Sequence, residues 1–147
     1  MMCPRRLISV ALGVLTPLTL SGCLDGMAFH ADRRLRIIEP AQDDFAQAPL
    51  QLRWKAEGLG GAVVSYGVFV DRSPIAPGKS VNELRGDDRV NMYVTGKTQL
   101  VIEQIGSRTG VTKSQEDLHE ITVIALDAAG ARVGETNDWV RVTVVQP

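Results

Sequence analysis

From Leu35 onward, apolar residues recur at every second position in short runs separated by Gly, Pro, Asp and Asn. That pattern belongs to strands with one buried face, not to helices. Leu35 to Ile38 forms a first strand stopped by Pro40. Leu50, Leu52 and Trp54 alternate with Gln51, Arg53 and Lys55, so the second strand points its apolar side chains inward. Gly58-Leu59-Gly60-Gly61 turns the chain into a third strand, Val63 to Asp71. This strand is apolar on both faces, with Tyr66, Val68 and Val70 on one side and Phe69 on the other.

A long connection from Asp71 to Asp88 follows. Pro74 and Pro77 stiffen its entry, and Ser80-Val81-Asn82-Glu83 has the form of a capping box, which predicts one helical turn ending near Gly86. Val90 to Val94 and Thr98 to Gln104 are two further strands about Gly96-Lys97. A polar loop from Gly106 to Asp117 leads to a strand from His119 to Leu126. The Asp127-Ala128-Ala129-Gly130 turn precedes a closing strand, Trp139 to Val145. The sum is an all-β, two-sheet antiparallel sandwich of about seven strands.

The first 34 residues break this pattern. Arg5 and Arg6 precede an apolar run from Leu7 to Leu20, which ends in Ser21, Gly22 and Cys23. A charged start, an apolar middle and a small-residue exit make a secretory signal. Leu20-Ser21-Gly22-Cys23 resembles a bacterial lipobox. The resemblance implies cleavage before Cys23, a diacylglyceryl group on its sulfur, and location at the cell membrane, facing the cell surface or the periplasm. The alternatives are ordinary secretion and an uncleaved anchor. The latter needs about 20 apolar residues, whereas this run has 14 and contains Pro17. Residues 23–34 show no period and form a tether, with a reach of about 35 to 40 Å when extended. Residues 35–147 are the sandwich domain.

Composition fits this division. Removal of residues 1–22 leaves 125, suited to one domain with one core. With 44% hydrophobic and 22% charged residues the chain is of globular type. The mature charge of -3 offers no basic patch for nucleic acid. Cys3 leaves with the signal and Cys23 takes the lipid, so no disulfide is expected and packing alone must hold the domain.

Trp54, the strand Tyr66 to Val70, and the run Ile121 to Gly130 followed by a Val-rich strand resemble bacterial immunoglobulin-like and fibronectin type III-like domains, over about Leu35 to Val145. The tyrosine such domains carry near the start of the penultimate strand is absent; His119 and Ile121 stand there. The resemblance implies an immunoglobulin-like sandwich and no particular activity.

Chemical motifs are sparse. Gly78-Lys79-Ser80 and Gly96-Lys97-Thr98 copy the tail of a phosphate loop, but Ser73 and Asn91 stand where its first glycine belongs. No G-x-S-x-G elbow occurs, and two distant histidines without a free thiol do not make a zinc site. Asp43-Asp44 and Asp87-Asp88 lack the alternating spacing of a calcium loop. Arg85-Gly86-Asp87 and Pro74-Ile75-Ala76-Pro77 are too short to identify a partner.

The expectation is therefore a lipid-anchored, non-enzymatic binding or assembly module of the cell envelope, with no cofactor, no catalytic residues and an envelope protein as partner. The alternatives are a small hydrolase using Asp87, Asp88 or His119, or a carbohydrate-binding module, with a site in the 71–88 loop. If Ile121, Val123 and Ala125 face the core, then Ile124 and Leu126 face outward, as do Trp139 and Phe69. These four define either an open apolar partner surface or a face that the long loop covers.

Overall fold

In the computed structural model, residues 34–105 and 117–145 are described; the signal, Cys23 and nearly all of the tether lie outside them. Eight strands form two sheets. The first holds β1 (Leu35–Glu39), β3 (Leu50–Ala56) and β6 (Gln99–Ile102), in the order β1-β3-β6. The second holds β2 (Asp44–Gln47), β8 (Arg132–Val145), β7 (Asp117–Leu126), β4 (Ser65–Val70) and β5 (Met92–Thr95), in that order. This is an immunoglobulin-like sandwich. The alternation anticipated the core: Leu35 and Ile37, Leu50, Leu52 and Trp54, and Ile102 meet Val68, Val70, Ile121, Val123, Val140, Val142 and Val144 across the interface. The Trp54 ring stands edge-on to Tyr66, with centroids 5.4 Å apart at 73°.

Four features differ from the pattern-based expectation. Strand β2 was not foreseen; it is short, apolar only at Phe45 and Ala46, and pairs parallel to β8, so the described residues hold eight strands and are not wholly antiparallel. The two segments about Gly96-Lys97 are strands, but with bounds Met92–Thr95 and Gln99–Ile102, and they lie on opposite sheets, β5 paired with β4 and β6 with β3. Strand β8 begins at Arg132, seven residues before Trp139. It escapes the apolar pattern because its register against β7 jumps from Leu126↔Arg132 to Ile124↔Asn137, a bulge in which Gly134 takes a φ of 57°. The single helical turn is two 3₁₀ turns, Val81–Glu83 and Gly86–Arg89, so Gly86 opens the second instead of closing the first.

The long connection lies across the outer face of the larger sheet. Its capping box is formed: the Ser80 hydroxyl accepts from the Asn82 N–H at 3.2 Å, and the Glu83 carboxylate accepts from the Ser80 N–H at 3.4 Å. The Gly78 N–H donates to Arg132 O, the Arg132 N–H to Lys79 O and the Val81 N–H to Gly130 O. Gly130 has a φ of 73°, and a Cβ there would lie 3.0 Å from Asn82 Nδ2, so this contact requires glycine.

Candidate binding surface

The outer face of the five-stranded sheet divides into a covered half and an open half. Phe69, Ile124 and Leu126 are fully buried in a second apolar cluster with Val81, packed against Ile75, Leu84 and Met92 from the connection and the strand after it. Gly67 makes room: a Cβ there would lie 3.1 Å from the Phe69 ring and 3.2 Å from Ile124. The expectation of an open surface at Phe69, Ile124 and Leu126 is thus corrected; burying their side chains pins the loop to the sheet. Trp139 alone of the four remains at the surface, 46% exposed.

Polar contacts hold the cover. Arg132 is buried and donates through Nη1 to Ile75 O at 2.8 Å. Burial lowers its guanidinium pKa, and nearby Glu135 partly offsets the shift. Arg72 reaches the carbonyls of Asp87, Asp88 and Val90. At the loop's start Asp71 adopts a φ of 57°; its Oδ1 accepts from the Glu120 N–H at 3.0 Å and its Oδ2 lies 2.6 Å from His119 Nδ1. His119 is wholly buried and its Nε2 has no partner among the described residues.

His119, where the pattern starts the strand, is therefore buried and is the anchor point of the loop. Asp71→Asn keeps the shape and the tolerance for positive φ but weakens both hydrogen bonds. The expected loss is about 1.5–3 kcal/mol, since bonds to charged groups are worth about that. Urea unfolding checks it, and an unchanged midpoint would remove the latch.

The hydrolase constellation is not assembled. Asp87 and Asp88 are exposed in the second 3₁₀ turn, with Asp88 facing Arg72, while His119 is engaged by Asp71 in the core. Among the described residues no three His, Cys, Asp or Glu side chains come together as a metal site. Lys79 faces Glu83 at 3.9 Å and Arg85 donates to Asn82 O at 2.7 Å, so both serve the loop's own structure.

The open half runs toward the C-terminal end of β8. Register sets Phe45 of β2 and Leu118 of β7 on either side of Thr143, and they are 65% and 45% exposed. Trp139 and Val145 lie on the same face, with the Arg141 guanidinium 5.6 Å from the Trp139 ring centroid. Phe45 escaped notice because it lies in a polar segment between Pro40 and Pro49. Leu118 did because the pattern marks this strand only from His119, two residues after β7 begins.

Beside Trp139 a cleft of about 380 Å³ opens where the chain passes from β1 to β2. Arg36, Ile38, Pro40 and Gln42 line it together with Asp138 and Trp139 of β8. Asp138 Oδ2 accepts from the Ile37 N–H at 2.7 Å, bridging the sheet edges at this seam.

No family model matches this chain, and no curated protein does. Among solved structures it is similar to the fibronectin(III)-like modules of Clostridium thermocellum CbhA, with 18% identity, 76% of this chain and 96% of that chain covered, and a TM-score of 0.43. The assignment to an immunoglobulin-like sandwich rests on strand order and packing.

Proposed function

We propose that this protein is a membrane-anchored lipoprotein of the cell envelope whose β-sandwich is a non-enzymatic binding or assembly module. The observation that carries the reading is Leu20-Ser21-Gly22-Cys23 directly after an apolar run headed by Arg5-Arg6. Two acyl chains on Cys23 would hold the protein firmly, at about 0.8 kcal/mol per buried CH₂. Among the described residues no helix is long and apolar enough to cross a membrane. The domain would meet an envelope protein partner through the open side around Trp139, while its buried polar groups serve to hold the loop. The non-catalytic reading is supported by the dispersal of Asp87, Asp88 and His119.

Cys23→Ala is expected to move the protein from the membrane fraction to the soluble fraction. Retention of the variant on membranes through a high-salt wash would refute the lipid anchor.

A further inference from the structure

We propose that the cleft at the free edge of β8 takes a short acidic peptide segment in extended form, paired to the main chain of Trp139 and with a carboxylate on Arg36. This rests on the reading of the domain as a binding module and names the class of its partner.

Main-chain geometry comes first. The Arg141 N–H donates to Gln42 Oε1 at 3.2 Å and its C=O accepts from the Asp43 N–H at 2.8 Å, so both point away from β7. Strand alternation turns the N–H and C=O of Trp139 the same way. β2 pairs with β8 only from the Asp44↔Val142 position onward, and the connection from Gly78 to Val81 meets the chain at Gly130 and Arg132. Between these two covers, the donor and acceptor of Trp139 face the cleft. Unpaired edge groups of this kind are templates for an added strand.

The remaining chemistry selects the occupant. Arg36 is exposed and has no acidic partner among the described residues. The acceptors Gln42 Oε1 and Asp138 Oδ2 are already engaged. What the cleft leaves for a ligand is the exposed Arg36 guanidinium beside the main-chain N–H and C=O of Trp139. A peptide carbonyl and a carboxylate are the matching groups, and Ile38 and Trp139 supply apolar contact for a flanking side chain. The size is near the small end of ligand pockets, about 300–1,000 Å³.

The test titrates end-capped peptides of alternating valine and glutamate, or valine and lysine, into the detergent-solubilised full chain. Tryptophan emission reports binding, since Trp54 is buried and Trp139 is the exposed indole. The expected result is saturable binding of the glutamate peptide over the lysine peptide, weakened about threefold by Arg36→Gln, as suits a partly exposed charge pair. Arg36→Glu should reverse the preference. Trp139→Pro removes the reporting indole, so its binding is followed by titration calorimetry; it should abolish binding with the backbone circular dichroism unchanged, because its N–H is not part of the β7 ladder.

Equal affinity for both peptides, no binding by either, or a preference untouched by Arg36→Glu would overturn the proposal. So would self-association of the chain through this edge, measured by sedimentation. The Cys23→Ala full chain is expected to bind the glutamate peptide equally, which keeps this outcome separate from that of the lipid anchor.

Discussion

Trp54→Ala is expected to destabilise the domain by about 3–5 kcal/mol, the range for removing a large aromatic side chain from a packed interior. Trp54 sits on β3 with Leu50 and Leu52, all three almost wholly buried, and its ring edge meets Tyr66 of the opposite sheet. The substitution would leave a cavity between the two sheets, where neither backbone can collapse without disturbing its ladder. A domain with no disulfide among its expected stabilising features has little reserve against such a loss, since folded domains are stable by only about 5–15 kcal/mol. Chemical denaturation measures it: the midpoint should fall sharply with the slope unchanged. A midpoint equal to that of the parent would mean that the β3 register is wrong.

The second large effect falls on the covered face. Ile124→Asp would place a carboxylate in the buried apolar cluster of Phe69, Leu126 and Val81. An unpaired buried charge of this kind is expected to cost about 4 kcal/mol or more, enough to unfold the domain or detach the connection. Trp139→Ser, on the same face but half exposed, should change the unfolding free energy by less than about 1 kcal/mol, as surface substitutions do. Thermal unfolding of the two variants separates the covered half from the open half. Equal, small effects would mean that the 71–91 segment does not seal Ile124.

The contrast between these two residues shows what the chain makes legible before folding. Period-two alternation located the inner faces because a strand's side chains must point to one side or the other, and Val123 and Val142 obey that rule. It also identified Ile124, Leu126 and Phe69 as facing away from the inner core. What covers them depends on a contact across the chain, between residues 75–84 and the sheet, which no local period encodes. A hint was present in Ile75, Val81 and Leu84, apolar positions in an otherwise polar connection.

Strand β2 left no trace because four polar-flanked residues on a sheet edge need not bury a face. The role of His119 was hidden for a different reason. Its position matches Ile121 and Val123 in parity, but the carboxylate that satisfies it comes from Asp71, 48 residues away. The cleft at Trp139 likewise lies where the passage from β1 to β2 meets β8, visible only once the sheets are paired.

The claim at the centre of this account is the attachment of the domain to a membrane through Cys23. Intact-mass spectrometry of the protein extracted from its native membrane measures that directly. The mass should correspond to residues 23–147 carrying a diacylglyceryl group, with or without an acyl chain on the amine of Cys23. A mass matching an unmodified chain, whether begun at Met1 or at a residue other than Cys23, would contradict it.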